Sequence, residues 1–249
     1  MNKSTVAAIK EHTEAEYPNE ACGLVINAGK KEKYIPCRNK NATGNHFVMH
    51  PEDYANAEDL GEVMAVVHSH PDHPAKPSEA DIVSCETSGL PWIIAEVREG
   101  KTEEIIRIEP KGYVAPLLGR MFFHGVLDCY SLVKDLYSRE LGIELPEPVR
   151  EDGWWEGEEE LYLDNFQSAG FRQVMDGSLE PYDVILMQLR SKRTNHAGVY
   201  LGETALKEAP DLHRVPNAMI HHQYGRLSER VVYGGYWRDI TRMVIRYDR

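Results

Sequence analysis

Apolar positions in the first hundred residues fall into short blocks separated by polar, turn-rich stretches. Residues 3–17 read as a helix, and ACGLVIN at 21–27 is an unbroken apolar run of strand length. A second helix is placed around 51–60, where His50-Pro51 puts a proline at its first position. VMAVV at 63–67 reads as a buried strand, followed by a polar loop and a helix that opens at Pro77-Ser78 with Ser78 as its N-cap. PWIIAEV and TEEIIRI supply two more strands. Helices and strands interleaved in this way indicate an α/β or α+β domain. Pro110, Gly112 and Pro116 then punctuate the chain, which divides it into domains at 1–111 and 112–249.

The second half has its own pattern. Leu127, Leu132, Val133, Leu136 and Tyr137 recur at helical spacing, with Cys129 in the first turn of that helix. LEPYDVILMQL and TNHAGVYLG are two strand-like runs, and AMIHHQYG follows them. No internal repeat, low-complexity run or heptad is present.

The composition narrows the function. The 249 residues are 42% apolar, enough for two packed cores, and the net charge of −12 argues against nucleic acid as a partner. The acidic run EGEEE at 156–160 reads as a solvated loop. No apolar stretch approaches the ~20 residues that span a bilayer. MNKSTVAAIKEH at the start lacks a signal-peptide core, so synthesis in the cytoplasm without standard secretion is expected. Cys22, Cys37, Cys85 and Cys129 show no CxxC pairing, which suits a reducing compartment, and the first three read as structural.

Between His68 and Asp81 lie the makings of a metal centre. Imidazole nitrogens and a carboxylate suit Zn²⁺, and three protein ligands leave one tetrahedral position open. His68, His70 and Asp81 are the candidate ligands. Residues two apart on a strand share a face, so both histidines can reach one ion while Ser69 points away. Ser78 and Asp81 lie one helical turn apart, and His73 is a loop side chain. In the second half, Cys129 feels the positive end of its helix, a setting that lowers a thiol pKa from ~8.5. His196 begins the second strand-like run, and His221 and His222 come later. Nucleophilic cysteine, base histidine and a third polar group form the general Cys-His arrangement.

Two family resemblances give these residues roles. The spacing H-x-H-P, six residues, then S-x-x-D resembles the JAMM (Mov34/MPN/PAD-1) metallopeptidase signature, and PNEACGLV around Glu20 is similar to the PxEACGLL of its prokaryotic members. The resemblance implies a cytidine-deaminase-like α/β domain with Zn²⁺ on His68, His70 and Asp81. Glu20 would take a proton from the attacking water and pass it to the leaving amine, and Ser78 would donate to the oxyanion. DCYSLV at 128–133, PYD at 181–183, HAGVYLG at 196–202 and MIH at 219–221 resemble the NlpC-type papain-like peptidases. That implies an α+β domain with Cys129 as nucleophile, His196 as base and His221 orienting it, with His222 adjacent. Tyr130 and Ser131 replace the usual Ser-Gly, Tyr182 replaces a glycine, and the upstream YxxGG motif is missing.

A JAMM domain directly before an NlpC-type domain resembles the tail assembly protein K family of lambda-like siphophages. The implied protein has two peptidase sites and acts in the host cytoplasm during tail assembly or in the virion tail. Its partners would be other tail-tip proteins, and its substrates peptidoglycan stem peptides or tail proteins. Other readings are intracellular processing of tail proteins or isopeptide-linked tags, and a mainly structural assembly factor.

Overall fold

The structure, a computed structural model, describes residues 1–41 and 47–248. The chain forms two compact units, Met1–Val114 and Ala115–Arg249, each with mixed helices and a sheet, an α+β architecture.

The first unit comprises α1 (Lys3–Glu16), β1 (Cys22–Ala28), β2 (Lys31–Cys37), α2 (Pro51–Leu60), β3 (Glu62–Pro71), α3 (Glu79–Ser88), β4 (Trp92–Arg98) and β5 (Lys101–Ile108). Its sheet runs β2-β1-β3-β4-β5, and only the β3–β4 pair is parallel. A parallel pair needs a crossover connection, and α3 supplies it. Alternation along the strands splits the core in two. Val25, Ala65, Val67 and Ile93 face Ile9 of α1, whereas Leu24, Ile26, Val66 and Trp92 pack with Ala57 of α2 and Cys85 of α3. With both faces covered, β1 is buried from Cys22 to Ile26, which explains its unbroken apolar run. Phase then places the histidines: His68 and His70 continue the face of Val66, toward α3.

Strand β2 has no counterpart in the sequence reading. KEKYIPC is half charged because it is an edge strand, and Pro36 is tolerated there because one side of the ladder is unpaired. The legible signal was the turn: Gly29 and Lys30 both hold positive φ, as a two-residue hairpin loop requires.

The second unit contains α4 (Cys129–Leu136), α5 (Leu161–Asn165), β6 (Phe171–Gln173), β7 (Val184–Met187), β8 (His196–Gly202), β9 (Ala218–His221), β10 (Glu229–Val232), α6 (Tyr236–Asp239) and β11 (Thr241–Tyr247). An antiparallel sheet ordered β10-β9-β8-β7-β11-β6 carries α4 on one face. Leu132 and Leu136 of α4 are fully buried against Val184, Val199 and Ile220, each leucine contributing about 2 kcal/mol of burial. Ile185, Met187, Tyr200 and Met219 fill the opposite face against Tyr233 and Trp237. Tyr182 leads into β7 with φ +77, the left-handed region that suits the glycine it replaces. It is held there because its N–H donates to Tyr200 O at 2.7 Å and its carbonyl accepts from Tyr137 Oη at 2.6 Å.

Candidate active sites

In the first unit the donor atoms converge. His68 Nε2 lies 3.0 Å from His70 Nε2 and 3.2 Å from Asp81 Oδ1, and His70 Nε2 lies 3.5 Å from Asp81 Oδ2. His70 Nδ1 sits 2.9 Å from the Pro74 carbonyl. A carbonyl can only accept, so Nδ1 carries the proton and Nε2 presents its lone pair to the cluster. Phe47 stacks on His68 at 5.0 Å and Trp92 meets it edge-on at 5.4 Å, so its ring has little freedom.

Asp81 has two structural partners. Its carboxylate accepts the Ser78 N–H at 2.7 Å while Ser78 Oγ accepts the Asp81 N–H at 3.1 Å, a capping box that starts α3. Burial opposes ionisation of Asp81, but the hydrogen bonds with His68, His70 and Ser78 outweigh it and hold the carboxyl well below its ordinary range. Ser78 Oγ accepts, so its own proton remains available for donation.

Glu20 belongs to the same cluster, with a ligand-type oxygen within 4.8 Å of those of His68 and His70. Its Oε2 is buried without a hydrogen-bond partner. Burial raises its carboxyl to about 8, with the charge of Asp81 adding to the effect and that of His70 opposing it. The segment bearing Glu20 is fastened to β3. Ser69 Oγ accepts the Ala21 N–H at 2.8 Å, Ser69 N donates back to Ala21 O at 3.0 Å, and Asn39 Nδ2 donates to Glu20 O at 2.9 Å. Ser69, which turns away from the histidine face, is therefore the anchor that sets Glu20 beside it. Sequence reasoning missed this role, although a serine at 0% exposure between two cluster histidines is the kind of buried polar group that must have a partner. His73 is exposed and outside the cluster.

The donor set fits zinc. Two imidazole nitrogens 3.0 Å apart, one 3.2 Å from Asp81 Oδ1 and the other 3.5 Å from Asp81 Oδ2, form a compact donor set that suits a tetrahedral ion with one non-protein ligand.

In the second unit Asp128 is the N-cap of α4, accepting the Ser131 N–H at 2.8 Å, and Cys129 occupies the first helical position. The thiol lies 3.2 Å from Tyr162 Oη, and the backbone of Ala197, next to His196, is near enough to favour its thiolate. His196 Nε2 is 3.0 Å from His221 Nδ1, and Trp237 packs edge-on against His221 at 4.4 Å. His222 points elsewhere, its Nε2 donating to Arg226 O at 3.1 Å. Cys129, Tyr162, His196 and His222 border one cleft of about 320 Å³. Tyr162 was missed because its segment follows the acidic run and carries no periodicity. Of that run, Glu156, Glu158 and Glu159 are exposed as expected, but Glu160 Oε2 accepts the Thr194 N–H at 3.0 Å and closes the loop before His196.

The lowered thiol pKa expected at this helix start is corrected here. Burial, reinforced by the adjacent Asp128 charge, raises Cys129 to about 11 despite the opposing effects of Tyr162 and the Ala197 backbone. The carboxylate that caps the helix opposes the helix-end field at the thiol, and the Arg150 charge offsets only part of that.

The three histidines are buried as neutral rings. Burial, helped by neighbouring imidazoles, lowers His196 to about 3 and His221 to about 4, and burial with the Arg120 charge lowers His222 to about 4. An unfolded imidazole takes its proton near pH 6.5. Between pH 6.5 and about 4 the unfolded chain therefore binds more protons, and stability falls as pH falls. At pH 5 the loss is on the order of 2 kcal/mol per histidine. The calorimetric unfolding midpoint of this unit should drop sharply between pH 7 and pH 5. A midpoint that holds steady over that range would contradict burial of the rings.

Residues 2–108 match the prokaryotic homologs of the JAB domain and residues 119–246 match the NlpC/P60 family, so fold and clusters define a JAB-type unit followed by an NlpC/P60-type unit. Tail tip assembly protein K of Escherichia phage N15 is 41% identical over 99% of this chain and 96% of its own length. The protein of the same name from Escherichia phage lambda is 39% identical over 80% of this chain and 89% of its own. The chain belongs to the tail tip assembly protein K family. A solution structure of a Salinibacter ruber protein aligns with 46% of this chain and 93% of its own length, at 21% identity and a TM-score of 0.32. Among the described residues no helix is long and apolar enough to cross a membrane.

Proposed function

We propose that the chain is a bifunctional peptidase of a phage tail tip, with a zinc-dependent hydrolase site in its first unit and a Cys-His peptidoglycan endopeptidase site in its second. The observations that support this reading are the convergence of Glu20, His68, His70 and Asp81 beside Ser78 in the first unit, and in the second a cleft lined by Cys129 and His196, with His221 Nδ1 3.0 Å from His196 Nε2. Kinship with the K proteins of phages N15 and lambda supports a role in tail tip assembly, with other tail proteins as partners.

Zinc held by His68, His70 and Asp81 would supply Lewis acidity and an acidified water. Glu20 accepts a proton through its uncommitted Oε2 and delivers it to the leaving amine. Ser78 donates its free hydroxyl proton to the carbonyl oxygen as charge develops there.

In the second unit His196 must work from Nδ1, because Nε2 faces His221. For Nδ1 to take the thiol proton, Nε2 must carry the ring proton and donate it to His221 Nδ1, 3.0 Å away. His196 takes the Cys129 proton as Sγ bonds to the scissile carbonyl carbon. It returns that proton to the departing amine, and water then releases the acid from the thioester. Both groups begin neutral, so activation is by general base rather than from a standing thiolate. Alkylation of Cys129 by iodoacetamide should accordingly be slow at pH 7 and rise about tenfold per pH unit up to pH 9, followed by mass spectrometry. A rate flat from pH 6 to 8 would show a preformed ion pair.

The test of the whole reading is digestion of Gram-negative muropeptides and, separately, of co-expressed tail proteins by the full chain. A zinc chelator should silence only the first site and a thiol alkylator only the second. Muropeptides left intact at high protein concentration, with tail proteins cut, would shift the function to tail processing.

A further inference from the structure

The cleft beside Cys129 has a charge opposite to that of the protein around it. Four charged side chains line it: Asp128, Arg150, Arg190 and Arg226. Asp128 is buried and committed, with Arg150 Nε donating to its Oδ2 at 3.1 Å and the guanidinium stacked 4.8 Å over the Tyr130 ring. That pair cancels. Arg190 and Arg226 are exposed, and neither guanidinium forms an ion pair or hydrogen bond among the described residues. Among the described residues of this unit, Arg120 pairs with Asp135, Arg139 with Glu208, Arg172 with Asp248, Arg193 with Glu160 and Arg246 with Asp183, whereas Arg230, Arg238 and Arg242 meet the His213 carbonyl, the Tyr233 ring and the Gln188 side chain. Arg190 and Arg226, like the exposed Arg214, have none of these partners, and both of them line the Cys129 cleft. They reach it from separate loops, Arg190 between β7 and β8 and Arg226 between β9 and β10. Arg190 does so from a left-handed backbone, φ +49, that non-glycine residues rarely adopt.

We propose that Arg190 and Arg226 are specificity residues that hold substrate carboxylates flanking the scissile amide, so that the cleft selects an anionic peptide. This rests on the cysteine-peptidase reading for the bond that is cut, but not for the binding itself. The guanidinium fork matches a carboxylate in two parallel hydrogen bonds, and such charge-assisted contacts are stronger than neutral ones. The net charge of −12 gives no long-range pull on an anionic substrate, so selection operates only once the peptide is inside the cleft. Low ionic strength should therefore improve binding without the very fast association of a steered encounter.

The experiment uses the full chain carrying Cys129→Ala, so that binding is read without turnover. The probes are the stem tripeptide Ala-γ-Glu-diaminopimelate with free carboxylates and the same peptide with the carboxylates flanking the γ-linked amide converted to amides. Titration calorimetry should show the free acid bound at least ~10-fold more tightly than the amide. Arg190→Gln and Arg226→Gln should each shrink that ratio several-fold, and the double variant should bring it near unity. Arg214→Gln, an exposed arginine away from the cleft, should leave it unchanged. Equal affinity for the two peptides, no detectable binding of either, or a ratio that survives the double variant overturns the proposal. Cleavage is scored separately with Cys129 restored. If the peptide is bound with full carboxylate discrimination yet never cut, the peptidase reading fails while the carboxylate assignment stands.

Discussion

Cys129→Ser and His196→Ala should each reduce release of dipeptide from Gram-negative stem peptides by roughly 10³-fold or more, as measured by chromatography of digested muropeptides. The two losses should not add in the double variant, because nucleophile and base act as one unit. His221→Ala should cost less. It leaves nucleophile and base in place and removes only the Nδ1 acceptor 3.0 Å from His196 Nε2, so residual turnover is expected. The geometry separates this residue from its neighbour, since His222 is hydrogen-bonded to Arg226 O and not to His196. A full loss on replacing His222 and none on replacing His221 would move the orienting role by one residue.

The second large effect concerns metal content. Purified protein should carry about one zinc per chain by elemental analysis. His68→Ala and Asp81→Ala should abolish this, because each removes one of three protein donors and a site with two binds far more weakly. Glu20→Gln should keep the metal and lose the hydrolysis, since an amide retains the shape of the carboxyl but cannot take up a proton. Asp81→Asn separates the two tasks of that side chain. Its oxygen can still accept the Ser78 N–H and start α3, so the unit should fold with intact circular dichroism while binding zinc poorly. Zinc retained in His68→Ala but missing from Glu20→Gln would exchange the ligand and base assignments.

How much was legible depended on whether a residue's partners lie close in sequence. The N-cap role of Ser78, the helix start at Pro51 and the buried face of α4 are local and were readable from spacing; Leu127, Leu132, Val133, Leu136 and Tyr137 are all buried. The edge strand β2 was missed because half its side chains face water, and β11 because its place between β7 and β6 depends on contacts some 60 residues away. Among site residues, spacing could suggest that His68, His70 and Asp81 meet. It could not reveal that Ser69 clamps Ala21, that Tyr162 touches the Cys129 thiol, or that Arg150 neutralises Asp128, since these pairs are 48, 33 and 22 positions apart. The thiol pKa was misjudged for the same reason. The helix dipole is a local term, and the burial that overrides it is not.

The spacing of the first cluster also bears on the order in which the protein matures. His68, His70 and Asp81 come from one short stretch of chain and close a loop of about a dozen residues, whereas Glu20 is brought in only when β1 pairs with β3 across nearly fifty. Loop-closure entropy grows by about 0.6 kcal/mol per doubling of length, so the longer closure carries an extra penalty of roughly 1 kcal/mol. If zinc binds as proposed, a nascent chain can close the strand–loop–helix from His68 to Asp81 around it before the glutamate is seated. Loading and competence would then be separate events, with a metal-bound but inert form preceding the active one.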